Sequence, residues 1–256
     1  MIDSDGNLFT FGFGEFGQLG SGANLNQFSS KKVVRIDEKI KSVACGLDHT
    51  LALSVSGRVY AFGSNTTGQL GLGDRRSTPY PTLIQDIAHI EVKMVAASSF
   101  SAALSSNKGD LYLWGKGTFG ENLTPVRVKS IDDSPMTEVN LGSQFGAVLS
   151  DKGLLYTWGK NDLGQLSQGD NEDRPFPTLV YPLRDKKVTT FSCGGSYILA
   201  LGATMRNPDA PPHPSEAEAD YAKKFTVYKT ASKSKSRTRQ IGIKRPSTCQ
   251  SGFKTN

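Results

Sequence analysis

The feature that most constrains this chain is a glycine-marked unit that recurs four times. Aligned on Phe11-Gly12, Phe62-Gly63, Trp114-Gly115 and Trp158-Gly159, each copy carries a second glycine six residues earlier, at Gly6, Gly57, Gly109 and Gly153. A third glycine lies five residues later, at Gly17, Gly68, Gly120 and Gly164. The anchors are 51, 52 and 44 residues apart. The short interval coincides with a loss: the third copy has no counterpart of Gln18-Leu19-Gly20 or Gln69-Leu70-Gly71, and the fourth keeps Gln165-Leu166 but follows it with Ser167. A period of this size marks a repeat architecture in which each unit covers its faces with its neighbours.

The first glycine of each set follows Asp5, Ser56, Lys108 or Lys152, a pairing suited to the positive φ of a tight hairpin turn. Before one such turn Leu51, Leu53 and Val55 alternate with Thr50, Ala52 and Ser54, and Val59, Tyr60 and Phe62 follow it, which is strand composition and period. The segments Pro79 to Ile84 and Pro175 to Val180 align with each other and begin a further strand, whose prolines predict edges or strand starts and not sheet centres. Glycine, at 27 of 256 residues, exceeds the usual ~7% and fits many tight turns. The expected fold is all-β: propeller-type blades, about four of them, as a partial or small propeller over residues 1–203.

The residues also carry a family resemblance. Gly46-Leu47-Asp48-His49-Thr50-Leu51-Ala52-Leu53, then Gly57-Arg58-Val59-Tyr60-Ala61-Phe62-Gly63 and Gly68-Gln69-Leu70-Gly71-Leu72-Gly73, closely resemble the regulator of chromosome condensation repeat. The resemblance covers residues 1 to about 201. It implies blades that in this family typically number seven, so about four units do not make the family's complete ring. The segment Leu8 to Gly20 is similar to the ciliary, retinitis pigmentosa GTPase regulator-like branch.

The two ends of the repeat region are complementary. Met1 to Gly12 supplies the second strand of a hairpin without the first, and Gly194 to Leu201 supplies the first without the second. They are expected either to close a four-bladed ring or to mark where a longer family member was cut, leaving a shortened or partial propeller such as an open arc.

Few residues invite a catalytic reading. His49 sits beside Asp48, but the equivalent positions hold Phe100, Phe145 and Tyr197, so the slot is expected to need a planar ring rather than an imidazole. Cys45 and Cys193 occupy one repeat position, with Ala96 at the third, and are expected to be small core residues. Trp114 and Trp158 align with Phe11 and Phe62 as large core residues. No glycine set forms a phosphate loop, and no catalytic set recurs. Three cysteines, with Cys249 the last, have no metal-binding spacing and fit a reducing compartment. The triplets Asn65-Thr66-Thr67 and Asn122-Leu123-Thr124 match a glycosylation pattern that arises often by chance, and we discount them. No cofactor and no metal are expected.

The net charge of +6 divides unevenly. Residues 221–256 carry ten Lys or Arg and no Asp or Glu, leaving twenty basic and twenty-four acidic residues before them. From Pro208 the repeat stops, and residues 204–256 read as a proline-containing linker and a basic disordered tail. Lys223, Lys224, Lys233, Lys235, Arg237, Arg239, Lys244 and Arg245 are the expected polyanion contacts, for nucleic acid or an acidic protein surface. No apolar run is long enough to span a membrane, and residues 1–6 show no signal pattern, so an intracellular protein of the cytoplasm, cytoskeleton, cilium or nucleus is expected.

The composition and repeats together point to a non-catalytic interaction scaffold, because function on such frames lies in loops on a rigid ring. The resemblance implies chromatin, small GTPases, or ciliary and cytoskeletal proteins as partners. It also implies a second class of function, guanine-nucleotide exchange on a Ras-like GTPase. That activity relies in the family on an inserted wedge and a full ring, and neither is evident here.

Overall fold

The computed structural model describes residues 1–98, 101–106, 108–128 and 134–206. These belong to one compact unit, Met1–Pro211. The tail residues expected to bind polyanions lie outside the described residues.

The chain forms antiparallel sheets in sequence order. Strands β1 (Phe9–Gly12) and β2 (Gln27–Lys32) pair as a first half-blade. Blade I comprises β3 (Ile40–Cys45), β4 (His49–Ser54), β5 (Val59–Gly63) and β6 (Thr78–Leu83). Blade II comprises β7 (Val92–Ala97), β8 (Ser101–Ser106), β9 (Leu111–Gly117) and β10 (Gly120–Arg127). Blade III comprises β11 (Met136–Leu141), β12 (Phe145–Ser150), β13 (Leu155–Gly159) and β14 (Arg174–Leu179), and β15 (Lys186–Cys193) and β16 (Ile198–Arg206) form a last half-blade. Short 3₁₀ turns at Gln85–Ile87 and Tyr181–Leu183 lead from blades I and III to the next first strand.

First strands touch first strands of neighbouring blades, as β3 does β7 and β7 does β11, which places them on the inner side. The proline-bearing β6 and β14 are outermost, as the edge expectation requires. β1 pairs only with β2 and β16 only with β15, so the closed four-bladed ring does not form. The described residues make three whole blades between two half-blades.

Four hydrophobic clusters lie at the four junctions. Leu51, Leu53, Ile84, Val92 and Trp114 pack between blades I and II; Leu113, Met136, Val139, Val148 and Trp158 pack between II and III. Every residue of β4 and β12 is buried. The alternation read from Leu51, Leu53 and Val55 therefore does not separate a core face from a wet one: a central strand of a middle blade has a sheet on each side, and Val55 falls in the exposed turn. Each fully buried large apolar side chain contributes about 1.5–3 kcal/mol.

The hairpin glycines do more than turn the chain. Gly6, Gly57, Gly109 and Gly153 have φ of +82°, +84°, +81° and +77°. Their carbonyls accept from the next first strand or its leading residue: Ile40 to Gly6 at 2.9 Å, Val92 to Gly57 at 3.1 Å, Met136 to Gly109 at 3.1 Å and Val188 to Gly153 at 3.0 Å. A Cβ at Gly109 would stand 2.5 Å from Pro135, so close approach and positive φ both require glycine there.

Two placements correct the sequence reading. Phe11, aligned with buried Phe62 and Trp114, is 62% exposed, because no preceding glycine turn among the described residues lies on it as Gly20 lies on Phe62 and Gly71 on Trp114. Cys45 is exposed, whereas Cys193 is half-buried and its thiol donates to the Asn140 carbonyl at 3.6 Å. The cover on Cys193 comes from the first strand of the preceding blade, and β3 has no such strand before it.

Candidate binding site

Between the third and fourth strands of the first two copies the chain makes a glycine turn that reaches onto the following blade. In the first copy, the Gln18 carbonyl accepts the Thr50 hydroxyl of blade I at 2.8 Å, and the Gly22 amide donates to the Pro79 carbonyl at 3.0 Å. In the second, the Gln69 carbonyl accepts the indole N–H of Trp114 in blade II at 2.9 Å, and the Gly73 amide donates to the Leu123 carbonyl at 2.9 Å. Each strap thus presents a carbonyl and, four residues later, an amide to its neighbour. Gly20 lies against the Phe62 ring and Gly71 against the Trp114 ring, where a Cβ would approach to 2.8 and 2.9 Å.

An asparagine that the sequence reading missed holds the strap in shape. Asn65 is fully buried; its amide donates to the Asp74 carbonyl at 2.9 Å and its side-chain oxygen accepts the Leu70 amide at 3.0 Å. Asn161 repeats this with Asp170 at 2.8 Å and Leu166 at 2.9 Å. The signal was an Asn two residues after the anchor glycine, present in only two copies; the first and third have Gly14 and Gly117 there. The Asn65 side chain of the triplet Asn65-Thr66-Thr67 is thus buried and hydrogen-bonded in the fold.

The third copy has no strap. Gly117-Thr118-Phe119-Gly120 closes β9 onto β10 directly, with Gly117 opposite Gly120. Gly120 is therefore a strand residue, and its match in spacing to the strap glycines Gly17, Gly68 and Gly164 does not carry over to structure. Where a strap would lie on blade III there is a cavity of about 660 Å³. Its lining includes Phe119 from blade II and Ser143, Phe145, Trp158 and Pro175 from blade III. The indole N–H of Trp158, equivalent to that of Trp114, makes no hydrogen bond among the described residues. The Pro175 carbonyl, equivalent to those of Pro79 and Leu123, receives no strap amide. At the rim, Lys160 donates to Asp173 at 2.7 Å, which holds the Asp173 carboxyl below its usual range and raises the Lys160 ammonium. Lys116, also on the rim, carries no ion pair among the described residues.

His49 is a packing residue. It is 1% exposed, neither ring nitrogen has a partner, and burial lowers its pKa to about 4, so the ring is neutral. The ring lies on Gly46 as Phe145 lies on Gly142 and Tyr197 on Gly194, where any Cβ would collide at 2.2, 2.0 and 2.5 Å. The pattern of glycine followed three residues later by a ring is thus steric. In blade II the ladder sets Ser101 opposite Gly115, the place His49 takes opposite Gly63, so the correspondence with Phe100 is displaced by one residue; Phe100 itself lies outside the described residues. Trp114 and Trp158 are buried, as expected. Among the described residues no group of three or more His, Cys, Asp or Glu side chains is placed to hold a metal, and no helix is long and apolar enough to cross a membrane.

Comparison with known proteins agrees with this geometry. The family model of the regulator of chromosome condensation (RCC1) repeat matches residues 5–53, 56–104 and 152–201, and a second model of that repeat matches 40–69 and 136–165. The ultraviolet-B receptor UVR8 of Arabidopsis thaliana is 36% identical over 203 residues, covering 76% of this chain and 46% of the receptor. The X-linked retinitis pigmentosa GTPase regulator of Canis lupus familiaris is 35% identical over 134 residues, 50% of this chain and 13% of that protein. Among solved structures, Prp20p of Saccharomyces cerevisiae, described with its binding to Gsp1p and histones, superposes with a TM-score of 0.71 at 21% identity, over 87% of this chain and 56% of its own. The chain spans less than half the length of these curated relatives. With its hairpin glycines, inter-blade straps and repeat models in agreement over most of residues 5–201, the chain belongs to the regulator of chromosome condensation repeat family.

Proposed function

We propose that this protein is a non-catalytic interaction scaffold, in which the repeats of residues 1–203 form a rigid platform and residues 204–256 form a separate basic segment. The observation that carries this reading is the cavity on blade III. It opens at a junction whose strap is missing, and among the described residues it offers a donor, an acceptor and an ammonium without an ion pair. A cleft of this size with a few directed polar groups suits recognition. The basic segment, through Lys223, Lys224, Lys233, Lys235, Arg237, Arg239, Lys244 and Arg245, is proposed to add electrostatic attraction for nucleic acid or an acidic protein surface. We place the work of the protein inside the cell, in the cytoplasm, at the cytoskeleton or cilium, or in the nucleus, with a small GTPase, cytoskeletal or ciliary protein as partner. The relatives named above support this range without choosing within it.

The test is a nucleotide-release assay with Ras-like GTPases carrying a fluorescent guanine nucleotide. Stoichiometric complex formation without faster release is the expected result. Acceleration by catalytic amounts of the chain would replace the scaffold reading with exchange activity.

A further inference from the structure

We infer that the cavity on blade III is a peptide-binding site that takes a strap in trans: a glycine turn of a partner protein, carrying an acidic residue beside it. The inference rests on the scaffold reading and names the chemistry of one contact it makes. The template is in the molecule itself. Gln69 and Gly73 engage Trp114 and Leu123 of blade II, and Gln18 and Gly22 engage Thr50 and Pro79 of blade I. On blade III the matching groups are the Trp158 indole N–H and the Pro175 carbonyl, both of residues that line the cavity and neither with a hydrogen bond among the described residues; the short hairpin reaches this blade through the Thr118 hydroxyl, which donates to the neighbouring Arg174 carbonyl at 3.1 Å. A turn that offers a carbonyl at one residue and an amide four residues on fits both at once.

The cavity is not a full copy of the strap seat. Leu113 stands where blade I has Ala61, and Phe119 is packed against the same cluster, so the depth filled by the side chain of Leu70 between blades I and II is partly occupied between II and III. The ligand therefore binds through its backbone and a shallow side chain, which favours glycine in the turn. The charge of the ligand follows from the rim: Asp173 neutralises Lys160, while Glu121, opposite Lys116 in the ladder, pairs with Arg75, so Lys116 has no ion pair among the described residues. A carboxylate next to the turn meets it. The straps of a second copy do not serve, because Leu19, Leu70 and Leu166 are buried in their own blades.

The probe is a synthetic peptide of the sequence Thr66 to Asp74, Thr-Thr-Gly-Gln-Leu-Gly-Leu-Gly-Asp, titrated calorimetrically into the full chain. Saturable binding is expected, and the scrambled peptide should not bind. Trp158→Phe, which keeps a ring that blade I accepts at Phe62, should weaken binding about fivefold by removing one hydrogen-bond donor. The exposed Lys116→Glu should weaken it about tenfold and reverse its salt dependence. An insertion variant in which the segment Asn65 to Arg76 replaces Gly117 to Gly120, eight residues longer, should restore a strap in cis and abolish binding, with an unchanged far-ultraviolet spectrum confirming the fold. No binding to the wild-type chain, or equal binding by wild type, Lys116→Glu and the insertion variant, overturns the site. If GTPase complexes persist in an insertion variant that still folds, the scaffold stands and the site falls. If release is accelerated while the peptide still binds, the reverse holds.

Discussion

The indole N–H of Trp114 donates to the main-chain carbonyl of Gln69, 2.9 Å away and one blade earlier. Trp158 holds the same place in the next blade with no such partner. The two tryptophans form an internal control. Trp114→Phe strands a buried carbonyl and should cost about 1–3 kcal/mol, whereas Trp158→Phe should cost less than about 1 kcal/mol. Urea unfolding of the two variants side by side measures the difference, and equal losses would remove the hydrogen bond from the account.

Gly71 and Gly164 separate backbone strain from crowding. Both have positive φ, +70° and +74°, but a Cβ at Gly71 meets Trp114 at 2.9 Å and one at Gly164 meets nothing within 4 Å. Gly164→Ala should cost about 1 kcal/mol from strain alone. Gly71→Ala adds a clash between blades and should cost roughly 1–3 kcal/mol more. Thermal melts of the two variants supply the comparison.

His49 makes stability depend on pH. Burial lowers its folded pKa to about 4 from the ordinary 6.5, so the unfolded chain takes up a proton first as pH falls. Its contribution is complete above about pH 6.5 and declines as pH drops towards 4, by up to about 3 kcal/mol. His49→Phe, the residue type of Phe145, should remove that slope and raise stability at pH 7 by about 1–2 kcal/mol, since two unpartnered nitrogens leave the core. Denaturant midpoints at pH 5 and pH 7 test both statements.

Cys45 and Cys193 should differ in reactivity despite their equivalence in the repeat. Cys45 is exposed; burial pushes the Cys193 thiol up to about 12. A maleimide pulse read by peptide mass spectrometry should label Cys45 at least tenfold faster. Equal labelling would place Cys193 in a more open setting.

Asn65→Ala and Asn161→Ala each remove the amide and oxygen that fix a strap, and each should cost about 2–3 kcal/mol, well above a typical surface change. Equilibrium unfolding of each variant measures this loss.

Much of the fold was legible because the constraint was steric. Only glycine readily adopts the φ of Gly6, Gly57, Gly109 and Gly153 at the close approach they make, so their spacing announced the hairpins, and proline's missing donor announced the outer strands. What escaped the sequence depends on which neighbour is present. Cys45 and Cys193 look alike until the strand covering one and absent from the other is known, and Phe11 resembles Phe62 until the glycine turn that lies on Phe62 is seen. The lost Gln-Leu-Gly was visible as a shorter interval. That it leaves the Trp158 indole N–H and the Pro175 carbonyl without strap partners follows only once the straps are seen to cross from blade to blade. The strap asparagines were hidden by appearing in two copies of four.

The carbonyl-to-amide links of Gly6, Gly57, Gly109 and Gly153 have a consequence for how such arrays diverge. They use no side chain beyond the glycine itself, so adjacent blades stay in register whatever happens further out. A junction fastened twice can lose its outer fastening and keep its alignment. Blade III is such a junction: Met136 still bonds Gly109 at 3.1 Å beneath the missing strap. Redundancy at the inner turn lets an outer loop be deleted as a local edit, opening a recess while the stack around it holds.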